Sequence, residues 1–170
     1  MSRARKQDGT PSLPYAAIIA APGFCLGLRC NEDEITSIEY LPPQPEVPPR
    51  SPLAQEAVRQ LRLWLKNPAH DFTLPLAPVG SHFQRRVWQQ IEAIPCGETR
   101  SYGDVAKAIG SAPRAVGGAC GANPYPVVVP CHRVVAARGG FNQGLGGFAH
   151  QRGGFLIDVK RWLLQHEQPR

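Results

Sequence analysis

Hydrophobic and polar positions divide the chain into two unlike stretches. From Tyr15 to Leu41, short apolar runs are broken at Pro22-Gly23 and at Asn31-Glu32-Asp33, which predicts a small antiparallel meander. Residues 42–50 (PPQPEVPPR) hold five prolines and read as an extended connector. Ser51-Pro52 then starts a helix: a hydroxyl cap followed by proline in the first turn. Val58, Leu61 and Leu65 share one face of it, with Trp64 beside them, and Asn67-Pro68 ends it.

Beyond a boundary at Leu76–Gly80 the period becomes helical. Ser81 caps a helix with Phe83, Val87 and Ile91 on one stripe, stopped by Pro95 and Gly97. Ser101 starts another, with Asp104 as its capping-box partner, Tyr102, Val105 and Ile109 on the inner face, and Gly110 as the stop. A short helix over about 112–120 follows a tight turn, and Val127–Val129 reads as a short buried strand ended by Pro130. The expected class is α/β (α+β). A small N-terminal sheet domain with a helix covers about 12–75, and a mainly helical C-terminal domain with a helix-turn-helix covers about 80–168.

Composition adds three limits. Eighteen Pro and seventeen Gly in 170 residues predict much turn and loop, and residues 1–12 read as loose. A net charge of +6 suits a polyanionic partner, although a basic protein with no such partner has the same balance. Five irregularly spaced cysteines do not form a disulfide framework, so a reducing compartment is expected. Arg3, Arg5 and Lys6 precede the apolar run from Tyr15, but Pro and Gly interrupt that run, so it reads as a strand pair and not as a targeting segment. No run of about 20 apolar residues is present, and no membrane span is expected.

Helix, Gly turn, helix is a weak signal for DNA, because most such pairs only pack together. The second helix carries Arg114 among Ala115, Gly117, Gly118 and Ala119, a face suited either to another backbone or to close helix packing. The segment GANPYPVVVPCHRVV is more specific. It sets a thiol beside an imidazole after an apolar run, where a neighbouring base can raise the thiolate fraction.

That segment resembles the active-site signature of the O6-alkylguanine-DNA alkyltransferases, whose core is PCHRV. SHFQRRVWQQIEAIPCGETRSYGDVAKAIG is similar to the family's first helix and the start of its helix-turn-helix. PRAVGGACGANP resembles its recognition helix and Asn hinge, and RWLLQHE its last helix. Residues 81–167 carry the resemblance strongly and 15–75 loosely.

The resemblance implies irreversible, single-turnover transfer of an alkyl group from O6-alkylguanine, or O4-alkylthymine, in duplex DNA to Cys131. It assigns His132 as base through a water, Glu167 as the acid that orients His132, Asn123 as the hinge, and Tyr102 as the group beside the phosphate and the leaving base. Arg114 fills the gap left by the flipped nucleotide, with Ala115 and Gly118 on the DNA-facing helix. Val134, Pro126 and Phe148 line the pocket, and the carbonyls of Cys131 and Val134 accept from the guanine amino group. No cofactor and no metal is implied. A monomer acting on double-stranded DNA is expected, in the cytoplasm or, in a eukaryote, the nucleus.

The chain departs from the family pattern in three places. The turn before Arg114 is about two residues shorter than the family spacing. The stretch between Cys131 and the last helix is long and Gly-rich, with Phe148 where a Tyr or Trp is usual, and suggests room for bulkier alkyl groups. Cys25 and Cys30, with His70 and His82, invite comparison with the zinc site of some members, but their spacing matches no aligned ligand set. Three other classes are compatible with parts of the sequence. A non-catalytic lesion binder would have the Cys replaced. A transcriptional regulator would carry more polar side chains on its recognition helix. A cysteine hydrolase leaves the charge and the helix pair unused.

Overall fold

A computed structural model describes residues 14–136 and 154–169. Residues 1–13, Phe148 and the Gly-rich stretch around it lie outside the described residues. The meander forms as the broken apolar runs predict, with strands β1 (Ala17–Ala21), β2 (Phe24–Cys30) and β3 (Ile35–Leu41) antiparallel in that order. Gly23 takes a φ of 86° at the first turn, a conformation that glycine adopts without a Cβ penalty. At the second turn the Asn31 side chain accepts from the amides of Asp33 and Glu34. The proline-rich connector is not wholly free of the sheet, because Val47 exchanges two backbone hydrogen bonds with Ile18.

Helix α1 (Pro52–Lys66) begins at Ser51, whose side chain accepts from the Ala54 amide, and ends at Asn67. It buries Ala54, Val58, Leu61 and Trp64 against the sheet, while Leu65 is only partly buried. Helix α2 (His82–Glu92) and helix α3 (Tyr102–Ile109) each start with a complete capping box, at Ser81 and at Ser101. Gly110 closes α3 with a φ of 67°, and Pro113 opens α4 (Pro113–Gly121) after a two-residue turn. Strand β4 (Arg100–Ser101) pairs in parallel with β5 (Val134–Val135), and α5 (Phe155–His166) ends the described chain.

The buried residues form one continuous cluster running from the sheet through α1 into the helices. Polar ties cross between the two stretches. The Tyr125 hydroxyl donates to the Ala77 carbonyl, with that of Ile35 also in reach, and the Ile38 amide donates to the Pro124 carbonyl. His166 Nε2 lies 2.9 Å from the Trp64 carbonyl.

The expected strand at Val127–Val129 is corrected: the segment is a turn. Val127 has a φ of 76°, a left-handed conformation that costs a β-branched residue about 1–2 kcal/mol. The turn is closed by the Val129 amide on the Tyr125 carbonyl at 2.8 Å and by Asn123, as described below. The apolar side chains that suggested a strand are instead buried from a turn, with Val127 and Val129 each 3% exposed.

Candidate active site

The strained turn delivers Pro130, after which Cys131–Arg133 form one turn of 3-10 helix. Asn123 ties the two together. Its Nδ2 donates to the Val129 carbonyl at 2.8 Å and to Cys131 Sγ at 3.3 Å, and its Oδ1 accepts from the Tyr125 amide at 2.9 Å. One short amide side chain therefore both clamps the turn and touches the thiol.

Behind the thiol lies a buried charged cluster. His132 Nε2 is 2.8 Å from Glu167 Oε2. Arg133 grips the same carboxylate through Nε and Nη2, at 2.8 and 2.7 Å, and sends Nη1 to the Ile94 carbonyl. Burial would raise the Glu167 carboxyl, but the hydrogen bonds from His132 and Arg133 outweigh it and hold the group down at about 2. Glu167 is thus an anion and acts only as an acceptor, so Nε2 must carry the imidazole proton. Burial lowers the pKa of His132, which keeps the ring neutral, and among the described residues its buried Nδ1 has no hydrogen-bond partner. The ring therefore presents one free lone pair.

Cys131 is 4% exposed. Burial, joined by a hydrogen-bond contact with Cys120, pushes its pKa well up, while Asn123 and Lys160 pull it down. Lys160 comes from α5, is fully buried, and donates from Nζ to the Val134 carbonyl at 2.7 Å. Burial brings Lys160 down to about 8, against the opposing influence of Cys120 and Cys131. Its Nζ also lies 5.7 Å from the centre of the Tyr102 ring. A cavity of about 230 Å³ opens beside the thiol, lined by Tyr40, Cys120, Asn123, Pro126, Cys131 and Leu156 among others.

The structure brings Cys131, Asn123 and Pro126 together at this cavity, with His132 and Glu167 paired behind. Tyr102 opens α3 near Lys160. Val134 is fully buried in β5. Its carbonyl accepts from Lys160, and that of Cys131 accepts from the Val134 amide. Arg114 and Ala115 are exposed on α4. Among the described residues nothing lies within 4 Å of a Cβ built on Gly117 or Gly118, so these glycines face open space and do not serve internal packing. The buried edge of α4 is held separately, by Trp88 Nε1 donating to the Ala119 carbonyl. Phe148 lies outside the described residues. Among those residues no group of three His, Cys, Asp or Glu side chains is placed to hold a metal, and Cys25 Sγ is spent on the Gln44 carbonyl.

Sequence reasoning missed Arg133, Lys160, Cys120 and Tyr40. Lys160 had left a trace: it falls in the stripe Ile157, Val159, Leu163, Leu164 that α5 buries, where an apolar residue is expected. Arg133 follows the Cys-His pair directly but had no visible partner until Glu167 folded onto it.

The family model for the 6-O-methylguanine DNA methyltransferase DNA-binding domain matches residues 82–169. The chain is 37% identical over 161 residues to the methylated-DNA–protein-cysteine methyltransferase of Methanosarcina acetivorans, covering 90% of this chain and 97% of that one. It is 43% identical over 120 residues to the constitutive enzyme of that name from Bacillus subtilis, covering 69% and 68%. Among solved structures it is similar to Mycobacterium tuberculosis OGT in complex with DNA, with TM-score 0.72 and 36% identity, covering 89% and 91%. The chain belongs to the methylated-DNA–protein-cysteine methyltransferase family.

Proposed function

We propose that this chain repairs duplex DNA by moving the alkyl group of O6-alkylguanine, and of O4-alkylthymine where present, onto Cys131, once per molecule. The observation that carries the proposal is the free lone pair on a neutral, buried His132, next in sequence to a buried thiol and held by the Glu167 anion.

The chemistry follows from that arrangement. The thiol is stored protonated because burial disfavours its anion. His132 Nδ1 takes the proton through a bridging water, and Glu167 stabilises the imidazolium, as an acid partner does for a base of fixed tautomer. Asn123 Nδ2 and the Lys160 cation favour the thiolate that results. Sulfur attacks the alkyl carbon in line, the C–O bond breaks, and the guanine leaves as a neutral base. Overall the thiol proton ends on guanine, with Tyr102 assisting. The product thioether is a poor leaving group, so the thiol is not regenerated. No cofactor enters this scheme.

The lesion sits inside the duplex and has to be swung out, at a cost of a few kcal/mol. Arg114 fills the vacated stack, while Ala115 and Gly118 let α4 approach the sugar-phosphate backbone. The Cys131 and Val134 carbonyls accept from the guanine amino group, and Pro126 walls the pocket. The protein acts as a monomer, in the cytoplasm or in a nucleus. A related M. tuberculosis protein has been solved with DNA, which supports the partner. Among the described residues no helix is long and apolar enough to cross a membrane.

The test is to mix the protein with a duplex carrying one O6-methylguanine, weigh the intact chain and map the modified peptide. A gain of one methylene on Cys131, stopping at one per chain, supports the proposal. Tight lesion-dependent binding with no mass gain would make the protein a damage recogniser instead.

A further inference from the structure

A second cysteine shares the pocket with the reactive one. Cys120 sits in the last turn of α4 and Cys131 starts the 3-10 turn, 11 positions later in the chain. Both line the same cavity, and Cys120 is among the groups that raise the Cys131 pKa. The repair reaction as derived uses only one of the two sulfurs. The other three cysteines are placed elsewhere: Cys25 is engaged by the Gln44 carbonyl, Cys30 ends β2, and Cys96 lines two separate cavities.

We propose that Cys120 and Cys131 are a reversible redox pair, in which Cys120 captures an oxidised Cys131 as an intramolecular disulfide. The oxidant is a peroxide small enough to enter the cavity. One thiol, as its thiolate, attacks the peroxide O–O bond and becomes a sulfenic acid, releasing hydroxide, which the displaced proton converts to water. The second thiol then attacks that sulfur, forms the S–S bond and expels a second water. Two thiols and one hydrogen peroxide thus give one disulfide and two waters, and a dithiol reductant reverses the change. Both sulfurs border one cavity, and the disulfide forms when they approach to about 2.05 Å. For a thiol that reacts once and is spent, the disulfide diverts oxidation from the sulfinic acid, which simple thiols do not reverse.

The effect on repair rests on Cys131 being the alkyl acceptor, whereas the disulfide itself does not. The full-length protein is treated with hydrogen peroxide, quenched, weighed, and digested without reductant. We expect a loss of about 2 Da and a peptide joining Cys120 to Cys131, both reversed by dithiothreitol. Transfer from a methylated duplex should disappear and return in step. In Cys120→Ser and Cys120→Ala, each compared with its own reduced rate, peroxide should abolish transfer with less than about a tenth regained on reduction, as Cys131 passes to the sulfinic acid. A gain of about 32 Da on Cys131 in the unaltered protein, with Cys120 still a free thiol, would overturn the proposal. So would equal recovery by the unaltered protein and both variants. If no form transferred alkyl groups at all, the peptide map would still decide the disulfide.

Discussion

Two polar networks, one around the buried Gln60 and one around the buried Glu167, are finished differently. On α1, Gln60 is 1% exposed. Its Nε2 donates to Glu56 and Thr73, and its Oε1 accepts from the Thr73 amide, so the amide group is satisfied at both ends. At the foot of α5, Glu167 takes three hydrogen bonds from His132 and Arg133, yet among the described residues His132 Nδ1 has no partner. A buried acceptor without a donor costs about 1–3 kcal/mol. The Gln60 cluster pins a connector to a helix. The Glu167 cluster carries an acceptor that folding leaves unused, and that is the atom the proposed reaction needs.

The sharpest way to separate the clusters is to remove their consequences one at a time. Cys131→Ser should abolish transfer, by at least about a thousandfold, while leaving duplex binding in place, read by intact mass and by gel shift. Glu167→Ala comes next. It strands Arg133 in the interior and frees the His132 ring, so stability should fall by about 3–5 kcal/mol in denaturant unfolding. The transfer rate per folded molecule should fall as well. Gln60→Ala should cost about 1–3 kcal/mol and leave the transfer rate per folded molecule unchanged. A drop in that rate would erase the distinction between the clusters.

Acid provides a finer test. Glu167 is held at about 2 against an ordinary 4.5, and burial lowers His132 from 6.5. In both cases the folded chain binds fewer protons than the unfolded one. Their stabilisation is therefore complete above these ordinary values and is lost as pH falls, first for His132 below about 6.5, then for Glu167 from 4.5 toward 2. Unfolding free energy measured against pH should slope more gently in Glu167→Gln than in the parent, and Gln60→Ala should keep the parent's slope. The smallest effect belongs to the outer face of α4: Arg114→Ala should weaken duplex binding and reduce its salt dependence by no more than about one unit of slope.

Much of the fold was legible because caps and turn residues act locally. Ser51, Ser81, Ser101, Asp104 and Gly110 do in the structure what their types predict in isolation. Val127–Val129 misled because a β-branched run favours strand, whereas the chain puts Val127 in a left-handed turn held by Asn123, a tertiary tie invisible in a propensity. Cys131, His132 and Asn123 were named through the motif, and Glu167 through the resemblance of RWLLQHE to the family's last helix. Arg133, Lys160 and Cys120 were not, because their partners lie on other elements and the contacts exist only once α5 and α4 pack around the 3-10 turn.

The central claim, that the buried network leaves His132 with a free Nδ1 lone pair, can be read directly from the ¹⁵N shifts of its imidazole in labelled protein near pH 7. The account predicts a neutral ring with its proton on Nε2 and an unprotonated Nδ1, persisting below pH 6.5 in the parent and lost in Glu167→Ala. A ring protonated on both nitrogens at neutral pH, or a proton fixed on Nδ1, would contradict it, because the base proposed for the Cys131 thiol would then have nothing with which to accept.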